Sequence, residues 1–279
     1  MIAIDISYAI LVLILIVLGL AIIFGLLRVI NMAHGEKVML GAYSVWFAEQ
    51  QGWPFWLGVF MALAVTAVVG AIVYQLVIAR IRARLLDTIL ATWGVSIVLK
   101  QVISLAFGAA GQHVSTPVDQ TVLLFGQPYP VYRLLVMLVS VVTVIGIYRL
   151  FFKTRFGMRA RAVMNNPALA ACVGIHRARL NLLSFVIGAM TAGLAGAMIA
   201  PLISISPLMG DDYLIPAFLS VLVGGLGSIV APIFGAGVIA GIESAATRFY
   251  DPVIAQIVML VVAVILLKLF PKGIFTHKR

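Results

Sequence analysis

The sequence predicts an all-α polytopic membrane protein with about nine transmembrane spans, some of them short or broken. Hydrophobic residues make up 63% of the chain and charged residues only 10%. Apolar blocks recur from one end of the 279 residues to the other, and no long polar stretch divides them. We therefore treat residues 1–279 as a single transmembrane domain.

The apolar blocks define the spans in order. The first block, residues 8–27, is 20 residues long, which is enough to cross a bilayer core of roughly 30 Å. It has no basic segment before it and no cleavage site after it, so we expect it to be retained. The nine predicted spans are residues 8–27, 36–50, 55–79, 88–109, 131–152, 182–206, 212–225, 229–246 and 253–270.

Basic residues predict the orientation of these spans. Lys and Arg cluster at 80–84, at 149–179 and at 268–279, and basic loops face the cytoplasm. The N-terminus is then outside, the C-terminus is inside, and residues 153–181 form a cytoplasmic loop. We therefore interpret the net charge of +10 as a consequence of this orientation, and we expect it to attract anionic lipid. We expect no nucleic-acid partner. The single cysteine, Cys172, excludes an internal disulfide, and we expect no metal site.

Two polar, helix-breaking segments interrupt the apolar pattern. Residues 28–35 follow the first span and residues 206–212 follow the sixth, and each break precedes a short span. Non-helical backbone at membrane depth is tolerated only where protein buries it or it lines a watery cavity. The pattern therefore predicts a transport path and a probable inverted repeat with a site near the midplane.

Small residues predict close helix packing. Gly188 and Gly196 belong to a stripe with a four-residue period in the sixth span, and Gly237 and Gly241 form a similar one in the eighth. Ordinary packing within the chain is favoured over a subunit interface. The segment Gly224-Gly225-Leu226-Gly227 is either a turn or unwound backbone that faces a cavity.

The predicted cytoplasmic loop contains a short helix. Asn166 can cap it, Pro167 can occupy its first turn and Gly174 can end it. From the residues alone, this helix either lies on the lipid surface or inserts into a groove of a partner protein.

The chain resembles the bacterial ABC-importer permeases for branched-chain amino acids, urea and short amides. The resemblance rests on Ile30-Asn31-Met32-Ala33-His34-Gly35-Glu36, Gly41-Ala42-Tyr43, the loop Ala170-Ala171-x-x-Gly174-Ile175 and Gly224-Gly225-x-Gly227. Within this family, the segment 87–96 and the loop 170–174 are most similar to the urea permease branch. Lys100 departs from that branch, where a neutral amide is expected.

The resemblance implies the partners of the chain. Such permeases lie in the bacterial inner membrane and work with two ABC ATPase subunits, an extracytoplasmic substrate-binding protein and a second, homologous permease that forms a heterodimer. No phosphate-loop motif occurs in the sequence, so this chain is expected to bind no cofactor, and ATP-Mg belongs to the ATPase subunits. The resemblance also favours docking over lipid contact for the coupling residues, which are Asn166, Pro167, Ala168, Leu169, Ala170, Ala171 and Gly174.

The substrate path follows from the chemistry of urea, which needs polar partners and no counter-charge. We predict that the path is lined by Asn31, His34, Thr92, Trp93, Ser96, Gly224, Gly225 and Gly227. Each has an ordinary alternative, because Thr and Ser often bond to their own helix and His34 can tie the broken backbone together. Lys100 is expected to extend outward to the membrane surface and not to contact substrate.

Three classes of function remain at this stage. The first is the permease subunit of an ATP-driven importer, for urea in the main interpretation and for short amides or branched-chain amino acids in the alternative. The second is a stand-alone secondary transporter or channel, which the dense basic loop disfavours. The third is a membrane enzyme, which the scattered histidines 34, 113, 176 and 276 disfavour because no catalytic cluster forms.

Overall fold

The computed structural model describes residues 2–81, 85–124, 126–225, 228–271 and 273–275, and it is mostly helical. A single-turn 3₁₀ segment precedes α2 at Met32–His34, another follows α9 at Ala200–Leu202, and a π segment at Tyr74–Ile78 joins α3 to α4. The helices are α1 Ile2–Leu27, α2 Gly35–Gln50, α3 Phe55–Val73, α4 Ala79–Ile81, α5 Leu85–Phe107, α6 Val131–Lys153, α7 Arg155–Asn165, α8 Pro167–Cys172, α9 Arg177–Ile199, α10 Met209–Gly224, α11 Ala231–Ala246 and α12 Pro252–Leu269.

Within the described residues, six helices are long and apolar enough to cross a membrane. They are Ile2–Leu27, Phe55–Ile81, Leu86–Phe107, Val131–Lys153, Arg177–Leu202 and Pro252–Leu269. Three predicted spans correspond instead to α2, α10 and α11, which have 16 residues each. At 1.5 Å per residue such a helix is only about 24 Å long, shorter than the roughly 30 Å core. The protein is therefore a multi-pass membrane protein, but the count of nine spans is not confirmed.

A short β-hairpin departs from the predicted all-α fold. Strands β1 Thr121–Leu124 and β2 Gln127–Pro130 pair antiparallel between α5 and α6, with Val122 opposite Tyr129. Gly126 supplies the positive φ of 78° that the turn between them requires. The hairpin is short and lies between apolar blocks, so hydropathy did not reveal it.

Helix α1 forms the centre of the bundle. Its apolar window is 83% buried, whereas those of α5 and α12 are 17% buried. It packs against α9, α11, α6 and α10. The crossing with α9 occurs at Gly19 and Gly188, where a side chain on either glycine would collide with the other backbone. A helix that is apolar on every side is buried in this way because no face of it needs water.

Glycines also let α2 and α9 approach closely. Gly41 faces the carbonyl of Gly193, and Gly196 faces the carbonyl of Val38. The small-residue stripe predicted in α9 is thus confirmed as packing within the chain. The stripe predicted in α11 is not confirmed as close packing. A Cβ added at Gly237 would meet no atom within 4 Å among the described residues outside its own helix.

The two breaks bring two helix starts together inside the bundle. After α1 ends at Leu27, the chain turns back, and His34 lies beside the carbonyl of Ile16, halfway along α1. Helix α2 therefore begins in the middle of the bundle. Helix α10 begins there too, because the backbones of Gly35 and Gly210 touch. The N-termini of α2 and α10 thus meet at mid-depth.

Because α2 packs closely on α9, we expect a side chain added at a glycine of this contact to destabilise the protein. Gly196→Ala places a methyl group against the Val38 carbonyl, so we expect it to destabilise the protein by about 1–3 kcal/mol, the usual cost of overpacking. The measurement is the temperature at which the detergent-solubilised protein loses its monodisperse peak in size-exclusion chromatography. Gly146→Ala in α6 is the matched control, since no atom lies within 4 Å of the added methyl group. Equal transition temperatures for the two variants would contradict the packing.

Candidate functional site

A charged cluster lies where the N-termini of α2 and α10 meet. Each of the two touching glycines is followed by an acid, Glu36 in α2 and Asp211 in α10. The Lys100 ammonium, from α5, lies between them. Its Nζ is 3.3 Å from Glu36 Oε1 and 2.6 and 2.8 Å from the two carboxylate oxygens of Asp211. Glu36 is buried and Asp211 is half exposed, so the cluster extends from the interior to the surface.

The sequence interpretation missed this cluster. Lys100 was expected to extend to the membrane surface, and it instead bonds to two acids of the bundle. The sequence analysis considered only uncharged partners for the substrate, whereas this cluster is charged. One signal was available, because a glycine followed by an acid occurs in the first turn of α2 and of α10, Gly35-Glu36 and Gly210-Asp211. No local pattern indicated that Lys100 reaches both acids.

Two predicted path residues on α5 face this cluster. Ser96 Oγ donates a hydrogen bond of 2.5 Å to Glu36 Oε1. Thr92 Oγ1 accepts from the backbone N–H of Met32 at 3.0 Å and donates to the carbonyl of Thr88 at 2.8 Å. Both side chains are buried. These hydrogen bonds hold α5 against the break that precedes α2 and against α2 itself.

Asn31 and His34 stabilise the break itself. Asn31 Oδ1 accepts from the N–H of Ala33 at 3.2 Å. His34 Nε2 lies 3.0 Å from the carbonyl of Ile16, and because a carbonyl only accepts, Nε2 carries the proton. Lys37 adds a third tie, with Nζ donating to the carbonyl of Ala33 at 3.0 Å and lying 5.0 Å from the centre of the Phe185 ring.

Several buried polar atoms near the break have no hydrogen-bond partner among the described residues. They are Asn31 Nδ2, His34 Nδ1 and Glu36 Oε2. One is a donor, one is the free acceptor of a neutral imidazole and one is a carboxylate oxygen. Buried polar groups normally bond to protein, water or ligand. These atoms therefore give the break capacity for further hydrogen bonds.

The other predicted path residues lie away from this cluster. Trp93, next to Thr92 on α5, is 55% exposed on the outside of the single chain. Gly224 and Gly225 lie at the far end of α10, where the carbonyls of Val223 and Gly224 accept from the N–H groups of Ile274 and Phe275. Gly225 has a φ of 124°, and α10 ends there. Gly227 lies outside the described residues.

The local structure predicted for the coupling residues is confirmed. Asn166 Oδ1 accepts from the N–H groups of Ala168 and Leu169, each at 3.1 Å, and Pro167 occupies the first turn of α8. Gly174, with a φ of 78°, follows the helix.

The faces of α8 differ in exposure. Ala170 is buried among Val163 and Leu180, which seat the helix on α7 and α9. Leu169 and Val173 are 64% and 74% exposed, and Ala168 and Ala171 are also exposed. The outward face is thus small and apolar, whereas the flanking segments carry cations.

The cluster contains two carboxylates and one ammonium group, and it lies where two helix N-termini meet. The partial positive charge of the helix N-termini favours carboxylates at this point. Lys100 forms an ion pair with both acids.

We expect Lys100→Met to destabilise the protein, because it leaves the buried Glu36 carboxylate without its cation. Loss of a hydrogen bond to a charged group costs about 1.5–3 kcal/mol. Glu36→Gln in the same chain removes the uncompensated charge and should restore most of the stability. Thermal unfolding of the detergent-solubilised single and double variants measures this coupling. Additive losses in the double variant would show that the two side chains do not interact.

Comparison with known proteins finds relatives among transport permeases. The chain is 29% identical to a probable branched-chain amino acid transport permease protein LivH of Methanocaldococcus jannaschii, over 94% of this chain and 88% of the relative. It is 26% identical to the high-affinity branched-chain amino acid transport system permease protein LivH of Escherichia coli, over 93% and 90%. It is 28% identical to the ribose import permease protein RbsC of Bacillus subtilis over 50% and 47%. No solved structure matches significantly. The family described as branched-chain amino acid transport system, permease component, matches residues 2–267, so the chain belongs to this family of transport permeases and is not an enzyme.

Proposed function

We propose that this chain is the permease subunit of an ATP-driven importer for branched-chain amino acids. The observation that carries the substrate class is the Glu36–Lys100–Asp211 cluster at the meeting point of two helix N-termini. The names of the relatives support it, since those above are branched-chain amino acid permeases except for the ribose permease. They give no support to the urea branch suggested by the sequence motifs, and they fit its stated alternative.

The charges at the site distinguish the two substrates. Urea is neutral and gains little from a cation held between two carboxylates. An amino acid presents a carboxylate, which suits Lys100 and the helix N-termini, and an ammonium, which suits Asp211. The ammonium of the amino acid takes the place of Lys100 at Asp211, and its carboxylate takes the place of Asp211 at Lys100. Binding at the site therefore leaves no buried charge unpaired.

We propose that Asn31, His34, Thr92 and Ser96 form the polar wall beside this cluster. Their support is burial together with the unbonded polar atoms of Asn31 and His34. Trp93, Gly224, Gly225 and Gly227 are proposed to border the path further along. Trp93 belongs to an exposed apolar face of α5 that also includes Leu90 and Ile97, and we propose that a second, homologous permease covers it in a heterodimer.

The same arrangement supports an inverted repeat. In this proposal α1, α2 and α3 correspond to α9, α10 and α11. Helix α2 packs on α3 as α10 packs on α11, and α3 packs on α9 as α11 packs on α1. The contact between Gly35 and Gly210 lies on the pseudo-twofold axis. Helices α2 and α10 are then half-spans, and together with α11 they bring the number of membrane-inserted segments to the nine predicted.

Uptake by the reconstituted importer tests the substrate. In proteoliposomes that contain both permeases, the ATPases and the binding protein, labelled leucine uptake should exceed labelled urea uptake. Asp211→Asn should lower leucine uptake by about tenfold or more, because the ammonium loses a charged hydrogen-bond partner. Asp251→Asn, at the exposed start of α12, is the control and should not change uptake. Urea uptake above leucine uptake would overturn the substrate class and leave only the family.

We further propose that residues 153–181 are cytoplasmic and that α8 is the coupling helix, in a bacterial inner membrane. Family membership implies ATPase and binding-protein partners. The outward face of α8, with Leu169, Ala171 and Val173, fits a groove of one ATPase subunit, and α7 and α9 hold it rigidly through Ala170. ATP-Mg is bound by the two ATPase subunits, and this chain binds no cofactor in the proposal.

Cys172 reports both the orientation and the docking, because it is the single cysteine of the chain and is exposed on α8. An impermeant maleimide should label it in inside-out vesicles and not in right-side-out ones. Assembly with the ATPase subunits should protect it. Ala171→Trp adds bulk to the exposed face and should remove that protection without preventing labelling of the free permease. Labelling from the outer side would reverse the orientation, and unchanged labelling after assembly would favour the lipid-surface interpretation.

A further inference from the structure

A cavity lies along α10, apart from the Lys100 cluster. Its volume is about 400 Å³, within the range of small-molecule sites, which is roughly 300–1,000 Å³. Helices α1, α6, α9, α10 and α11 enclose it at the end of the bundle where α1 begins. That end faces outward in the proposed orientation, which is the side from which a binding protein delivers substrate.

Helix α10 separates this cavity from the central cluster. Asp211 bonds to Lys100, whereas the next residue, Asp212, lines the cavity. Consecutive residues of an α-helix point about 100° apart, since 3.6 residues make one turn. Neither Lys100, Glu36 nor Asp211 lines the cavity, so it is a separate site and not an extension of the cluster.

The lining of the cavity combines an apolar floor with charges of both signs. Val12, Leu13 and Ile199 form part of the floor, and Arg133, Asp212 and Glu243 supply the charges. A neutral apolar ligand would leave these charges unused, and a simple ion would leave the floor uncovered. The lining fits a small molecule with a zwitterionic head and an aliphatic tail.

The charged groups differ in how they are held. The Arg133 guanidinium is fixed, since Nη1 lies 3.2 Å from Asp5 Oδ1 and Cζ lies 5.4 Å from the centre of the Tyr8 ring. The side chains of Glu243 and Asp212 have neither a hydrogen bond nor an ion pair with any described residue. Glu243 is partly buried and Asp212 is exposed. Both carboxylates are therefore free to bond to a cationic group of a ligand.

We propose that this cavity is a second amino acid site, at which an aliphatic amino acid binds before it reaches the central cluster. Its ammonium bonds to Glu243 and Asp212, its carboxylate bonds to Arg133 and its side chain lies on the apolar floor. The ligand class rests on the proposed function. The site itself rests on the cavity and its charges, so it can be tested without transport.

Equilibrium binding of labelled leucine to the assembled importer, in nanodiscs without ATP or binding protein, tests the proposal. Wild type should bind leucine at two sites, and Glu243→Gln should weaken one of them at least tenfold. Ala240→Phe, which fills the cavity from α11, should abolish that component. Ala245→Phe adds the same bulk to the exposed face of α11 and should leave binding unchanged. Asp211→Asn should weaken the other component only.

The outcomes separate this site from the proposed function. If leucine is taken up normally and Glu243→Gln and Ala240→Phe bind it as wild type does, the cavity is not an amino acid site, although the importer function stands. If the wild-type importer neither binds nor takes up leucine, the substrate class fails and the second site fails with it. If Arg133→Gln weakens docking of the binding protein but not leucine binding, the charges form a protein contact and the proposal is overturned.

Discussion

The structure depends on the contact between two helix N-termini in the middle of the bundle. Gly35 and Gly210 touch through their backbones, and any side chain at either position would force α2 and α10 apart. Because both helices begin there, unbonded N–H groups and the positive ends of two helix dipoles converge at one point. Carboxylates belong at such a point, and Glu36 and Asp211 occupy it. The cation that forms ion pairs with both, Lys100, then comes from α5.

Breaking a helix at this depth requires every freed backbone group to find another partner, since the bilayer core supplies no water. The residues around the first break do this. Asn31 bonds to the N–H of Ala33, Thr92 bonds to that of Met32, and Lys37 bonds to the carbonyl of Ala33. The polar residues of this motif are thus structural before they are functional. Three buried polar atoms of these residues remain without a hydrogen-bond partner among the described residues.

Helix α10 links the two sites that we describe. It carries Asp211 toward Lys100 on one side and Asp212 toward the outer cavity on the other. Its N-terminus is held by glycine contact, and at its C-terminus the carbonyls of Val223 and Gly224 accept from the N–H groups of Ile274 and Phe275. Helix α10 therefore contributes a carboxylate to each of the two sites.

The sequence by itself determined the features that depend on neighbouring residues. The length of apolar runs determined that this is a polytopic membrane protein, and polar residues within them located both breaks. Asn166, Pro167 and Gly174 determined the start and end of α8, because capping acts within one turn of helix. The small-residue stripe around Gly188 indicated close packing in α9, because a four-residue period places these residues on one face of the helix. Hydropathy did not separate the six helices that are long enough to cross a membrane from the three of 16 residues, since it does not locate helix ends.

Only the tertiary structure decided which distant residues meet. Lys100 and Asp211 are 111 residues apart, and their contact depends on the path of the chain between them and not on local pattern. The packing of α5 likewise leaves Trp93 exposed on the outside of the chain, while Thr92 and Ser96 are buried. Motif similarity within one family had favoured urea, a neutral substrate, while the central charges were hidden in separate spans. The charge balance of a buried site is a property of the assembled helices, because it depends on distances that only folding creates.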